Sequence, residues 1–120
     1  MLTLESLIPA IQKSDINRHK LVAVAHLRSG HILTKAVNCR AEGAISPFSI
    51  HAEEALVIRA NKLRLRERFD HIEVLVARWS AAQNWKLARP CAACERLLRL
   101  YGFEHVRYTS GSGTELQYLF

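Results

Sequence analysis

Cysteine is scarce in this 120-residue chain. There are three, and so small and odd a number argues against a disulfide framework. No apolar run is long enough to cross a bilayer, so no membrane partner is expected. The first residues lack a basic stretch followed by an apolar block, so no signal peptide is read there and the cytoplasm is the default compartment. Internal repeats, low-complexity tracts and linkers are also missing, and the length suits one domain over residues 1–120. Acidic residues are the minority charge, 11 against 17 Lys and Arg. The resulting formal charge of +6 favours an anionic partner: nucleotide phosphate, nucleic acid or an acidic surface.

What the chain does have is an ordered series of elements. Thr3 is placed to cap a helix over residues 4–14, with Leu4, Leu7, Ile8 and Ile11 on one face. Lys20 to Leu27 and His31 to Val37 read as two strands joined at Ser29-Gly30. A loop of small residues, Arg40 to Pro47, leads into a helical pattern from about Ile50 to Arg68. The basic end of that helix (Arg59, Lys62, Arg64, Arg66, Arg68) suits the negative pole of the helix dipole and reads as a solvated face. Ile72 to Trp79 has the continuous apolar character of a central strand. A polar loop, Ser80 to Arg89, precedes a third helix from about Cys91 to Tyr101, which Gly102 stops. The last two strands are Phe103 to Thr109 and Thr114 to Phe120. Only Ser110 to Gly113 lies between them, too short for a parallel crossover, so they form an antiparallel hairpin. The sum is an α/β sheet with helices packed on it.

The chemistry concentrates at two predicted helix starts. His51 opens one, and Cys91 and Cys94 lie in the first turn of the other, where free N–H groups and the helix dipole favour thiolate. Zinc prefers an N, S, S set of this kind. Three protein ligands leave a fourth place for water, which marks a catalytic site, because zinc lowers the pKa of its water to about 7. Glu53, two positions after His51, is badly placed to share the metal and well placed to carry a proton for that water. Each residue also has an ordinary reading, as a helix-entry histidine, a first-turn carboxylate or small core thiols.

The pattern H-A-E followed by P-C-x-x-C (His51, Ala52, Glu53; Pro90, Cys91, Cys94) resembles that of the cytidine and deoxycytidylate deaminase superfamily. The resemblance extends to the order of elements along nearly the whole chain. It implies a three-layer α/β/α fold, cytidine-deaminase-like, with a five-stranded mixed sheet. It also implies a Zn2+ cofactor held by His51, Cys91 and Cys94, hydrolytic deamination with Glu53 as proton shuttle, and a homo-oligomer. Pro90 sets the entry to the cysteine helix, and Ala52 and Pro90 are expected beside the substrate. Asn38 corresponds to a sugar-contacting asparagine, with a loop asparagine bonded to its own backbone as the equal alternative. Phe48 leads Trp79 and Trp85 as a candidate aromatic wall of a base pocket, with the core as the commoner place for aromatic residues near strand ends. Cys39 reads as a small buried side chain, and the histidines other than His51 have no ligand spacing.

The terminal hairpin resembles the branch of free cytidine, blasticidin-type and toxin deaminases. Free cytidine deaminases usually begin their ligand set with cysteine, where this chain has His51 preceded by ISPFSI. The expected substrate is a free nucleoside or nucleotide: cytidine, deoxycytidine or a monophosphate. Cytosine or adenine in single-stranded nucleic acid is the alternative, for which Trp85, Lys86, Arg89, Arg96 and Arg99 offer stacking and charge. A catalytically silent zinc protein used for assembly is the third reading.

Overall fold

The computed structural model describes residues 2–12, 20–40, 49–80 and 82–120, with the side chains of residues 39, 40 and 49 left aside. A 3-10 turn, Glu5–Leu7, runs into α1, Ile8–Ile11. Thr3 caps this entry as its sequence position suggests: its Oγ1 accepts the Ser6 N–H at 3.3 Å while Ser6 Oγ accepts the Thr3 N–H at 3.3 Å. The segment is shorter than residues 4–14, since the α-helical turn closes at Ile11, and residues 13 and 14 lie outside the described chain. Leu4, Leu7 and Ile11 form its buried stripe.

Strands β1, Lys20–His26, and β2, Ile32–Val37, pair antiparallel across a turn at Gly30, whose φ of 90° suits glycine. Two short strands, β3 (Cys39–Arg40) and β4 (Ser49–Ile50), pair with each other ahead of the main helix. No residue pattern announces that ribbon.

That helix is broken where a continuous one was expected. It comprises α2, Ala52–Lys62, and a separate turn, α3, Leu65–Arg68. Ala52, Leu56 and Ala60 are buried at four-residue spacing, and one more step would bring Arg64 into the core. Arg64 instead takes a left-handed conformation, φ 54°, and the phase shift buries Leu65 in its place. Avoiding a buried, unpaired guanidinium outweighs about 1–2 kcal/mol of left-handed strain.

The central strand β5, Glu73–Trp79, has Val74, Leu75, Val76 and Ala77 buried on its two faces. The region expected to be loop from Ser80 to Arg89 contains β6, Trp85–Lys86, which folds back on β5. Trp85 drives this return, being buried with its ring centroid 4.5 Å from that of Trp79. Helix α4, Ala92–Tyr101, ends at Gly102, φ 96°, and β7 (His105–Thr109) and β8 (Leu116–Tyr118) follow. Strand β7 starts two residues after the expected Phe103 and ends at Thr109 as expected, whereas β8 is trimmed by two residues at each end of the Thr114 to Phe120 run.

The sheet order is β2-β1-β5-β7-β8, with β6 attached to β5. Strands β5 and β7 are parallel, and the other neighbours in this sheet, including the terminal hairpin β7–β8, are antiparallel. Strand alternation sorts the side chains into two cores. Ala23 and Ala25 of β1, Val74 and Val76 of β5, and Val106 of β7 meet Leu56 and Leu98 from α2 and α4. Val22, Val24, Leu75, Ala77 and Trp85 meet Leu4, Leu7 and Ile11 on the opposite side. The three-layer α/β/α arrangement is therefore present, and the small alanines of β1 let α2 lie close on the sheet.

A candidate metal centre between two helix starts

The N-cap positions of α2 and α4 are His51 and Cys91. Both have extended backbone, with φ −67° and ψ 149° at His51 and φ −69° and ψ 167° at Cys91. An N-cap side chain commonly accepts an N–H of its own helix, yet neither does so here. Only their carbonyls join the helices, taking Ala55 N–H at 3.0 Å and Glu95 N–H at 2.8 Å. The imidazole and thiol are thereby free to face each other.

They converge with Cys94. His51 Nδ1 lies 3.4 Å from Cys94 Sγ and 3.8 Å from Cys91 Sγ, and one ligand atom from each residue falls within 4.8 Å of the others. Tetrahedral zinc with bonds of about 2.0–2.1 Å to nitrogen and 2.3 Å to sulfur requires N···S edges of about 3.5 Å. The donor set and its spacing therefore fit zinc. Among the described residues this is the one such group of three ligand-type side chains. Cys91 and Cys94 are both free thiols, the first exposed and the second buried. Burial, then the Glu53 charge and contact with Cys91, push the Cys94 thiol up from its ordinary range. A thiol in such surroundings ionises when a cation arrives to offset them.

Glu53, one residue into α2, is 4% exposed. Burial raises its carboxyl above the ordinary carboxylate range, opposed by its own backbone N–H, the nearby His51 and a hydrogen bond from Cys94. A buried carboxyl beside the cluster, with proton affinity increased, suits a group that holds and passes a proton.

The segment before Cys91 is pinned to β7. Ala88 N–H donates to Thr109 O at 2.9 Å, and the fully buried Thr109 hydroxyl donates to Lys86 O at 2.6 Å. Arg89 Nη1 donates to Tyr108 Oη at 3.1 Å, which donates to Gln117 Oε1 at 3.1 Å. Pro90, buried, then turns the chain into the cap. This bracing was not legible in the sequence, because its partners lie on strands far along the chain.

A cavity of about 200 Å³ opens at the cluster, lined by His51, Glu54, Cys91, Ala93, Cys94 and Leu97. Glu54 and Leu97 were not foreseen, although Leu97 stands three residues after Cys94 and so on its helical face. Ala52 is buried at 1% exposure beside the cluster, where it packs in the core. Asn38 is buried, and its Oδ1 accepts Leu21 N–H at 3.0 Å while its own N–H donates to Leu21 O at 3.2 Å. Trp79 and Trp85 belong to the opposite core with α1, which removes them as walls of a pocket at this cluster. Phe48 lies outside the described residues.

No protein-family model and no curated protein sequence matches the chain. Solved structures do. The dCMP deaminase of the cyanophage S-TIM5 in apo form superposes with a TM-score of 0.61 at 20% identity, covering 90% of this chain and 79% of the other. The cytidine deaminase of Mycobacterium leprae gives 0.62 at 14% identity, covering 95% and 87%. That of Burkholderia pseudomallei gives 0.60 at 15% identity, covering 98% and 93%.

Proposed function

From a chain with the fold of the cytidine and dCMP deaminases and a His-Cys-Cys cluster at two of its helix starts, we propose a zinc-dependent hydrolytic deaminase. Its substrate is a cytosine-type base in a free nucleoside or nucleotide, and its second product is ammonia. The observation that carries this reading is the buried Glu53 beside the converging His51, Cys91 and Cys94. A purely structural metal site has no use for that carboxyl.

Zinc held by His51, Cys91 and Cys94 supplies a Lewis acid and a nucleophilic water near neutral pH. The protein residues do the rest. Glu53 takes a proton from the attacking water and delivers it to the ring nitrogen of the base; it then takes the second proton of that water from the new hydroxyl and hands it to the amine, which leaves as ammonia. Its burial keeps bulk water from competing for that proton. Pro90 and the strut from Arg89 to Gln117 hold the thiolate helix in place, and Ala52, small and buried, leaves the base room against the helix start. Asn38 is the candidate sugar contact in this reading, and Phe48 the candidate stacking wall. The enzyme works in the cytoplasm, where thiols stay reduced. It acts as a homo-oligomer, a reading supported by exposed Ile58 and Leu63 on the helical layer at 46% and 43%.

A second reading has its own observation. His51 and Cys91 are exposed, and Arg59, Lys62, Arg64, Arg66 and Arg68 crowd the exposed surface at the far end of α2 and on α3. None of these five forms an ion pair with a described residue, and Arg66 lies over the Tyr101 ring at 5.9 Å. An open site at one end of α2, with unpaired cations and an aromatic ring at the other, suits a single strand running along that helix. The deciding assay is ammonia release by zinc-loaded protein against cytidine, deoxycytidine, their monophosphates, adenosine, guanine and a cytosine-containing single-stranded oligonucleotide. Turnover of a monomer supports the first reading, and turnover of the oligonucleotide alone replaces it with the second. No turnover of any member sinks both.

A further inference from the structure

On the face of the sheet that carries α1, away from the metal cluster, lies a second cavity of about 320 Å³. Its size is at the lower end of small-molecule pockets. Register and strand alternation explain its lining. His26 pairs with Glu73, and Leu75 with Arg107, so the polar ends of β1, β5 and β7 share the face on which α1 covers Val22, Val24 and Ala77. Beyond α1 that face is left polar and concave.

Two of its groups lack partners. His26 is 2% exposed. Its Nδ1 lies 2.8 Å from Leu27 O, which assigns the proton to Nδ1 and leaves Nε2 as an acceptor. That Nε2 is buried with nothing bonded to it. Arg107 is half-buried, its Nε–H is buried without an acceptor, and its guanidinium makes no ion pair or hydrogen bond with a described side chain. The other charges do not answer it: Arg28 binds Glu104 and stands 3.9 Å from Glu73. Arg107 is thus the cation left over, with the Thr3 and Ser29 side chains nearby and Leu75 and Leu116 as apolar wall. A half-buried guanidinium without a counter-charge costs stability until an anion supplies it.

We propose that this cavity binds a small hydroxylated oxyanion, a sugar phosphate or a hydroxy acid. Its anionic oxygens engage Arg107, a hydroxyl meets the acceptor nitrogen of His26, and its carbon frame rests on Leu75 and Leu116. The site is separate from the metal centre, and the proposal stands whether or not the deaminase reading does.

The test is a titration of the full-length, zinc-loaded, 15N-labelled protein with ribose 5-phosphate and, separately, gluconate, against sodium chloride at equal ionic strength. Saturable shifts of the Arg107 Nε–H and Gly30 amide signals, with the amides of residues 91–94 unmoved, are expected. Arg107→Gln should reduce the affinity at least tenfold. A response to both probes supports an oxyanion site open to either source, and a response to one alone assigns the site to that source. Shifts that chloride reproduces, shifts confined to residues 91–94, or saturable binding retained in Arg107→Gln overturn the proposal. Should Arg107→Gln fail to fold, the wild-type titration decides by the same localisation.

Discussion

Leu98 and Leu100 lie two residues apart on α4, one fully buried and the other 74% exposed, and alanine in their place separates core packing from helix propensity. Both substitutions change intrinsic helix preference by the same small amount. Leu98→Ala also removes a side chain in the core against Leu56 and Val76, with a cost of about 2–5 kcal/mol for lost transfer energy and the cavity left behind. With an unfolding entropy of about 2.1 cal/mol/K per residue, a 120-residue chain loses about 4 °C of Tm for each kcal/mol, so about 3 kcal/mol predicts a fall of about 12 °C. Leu100→Ala should move Tm by about 2 °C or less, since its side chain is already in water. Leu98 stands one helical turn beyond Cys94, so its loss should also loosen the cluster. Urea unfolding with unchanged slope, together with retained zinc per chain after dialysis against a weak chelator, provides the readout. Equal losses at the two positions would refute the packing of α4 described above.

Arg64→Gly removes a β-carbon from a left-handed residue and should raise stability by about 1 kcal/mol, measured by urea unfolding; a loss of stability would contradict the helix break. Cys91→Ser should lower zinc content and thermal stability together, because binding energy at such a site is partly folding energy; full zinc occupancy in that variant removes Cys91 from the ligand set. The Glu104 carboxyl is held below its ordinary range, first by its hydrogen bond from Arg28 and then by that residue's charge. A lowered folded pKa makes its contribution present above the unfolded value of about 4.3 and lost as pH falls through the folded value. Glu104→Gln should therefore flatten the acid limb of the stability profile below about pH 5, and an unchanged limb would contradict the pairing.

The fold was legible where burial imposed a period. Val74 to Ala77 announced a strand covered on both faces, and the short span between Thr109 and Thr114 fixed the antiparallel sense of the last hairpin. The His51, Cys91 and Cys94 cluster was legible as a candidate metal site because zinc chemistry draws on those residue types, and the structure brings His51 and Cys94 to 3.4 Å across 43 residues of chain. The break at Arg64 was not legible. Leu56, Ala60 and Leu63 continue an acceptable helical pattern, and only the competition between Arg64 and Leu65 for one core position interrupts it. Trp79 and Trp85 were pocket candidates although aromatic residues near strand ends more often join a core, and the core is where they lie; aromatic character alone does not say which face of a sheet a residue joins. Arg107 gave no sequence signal at all, since its isolation depends on where α1 stops covering the sheet.

The most direct test of the central claim compares wild type with Glu53→Gln for zinc per chain and ammonia release on the substrate the panel identifies. The account predicts one zinc in both proteins and a loss of at least a hundredfold in kcat for the variant, the scale of a positioned proton-transfer group. Deamination at the wild-type rate by zinc-loaded Glu53→Gln would contradict it.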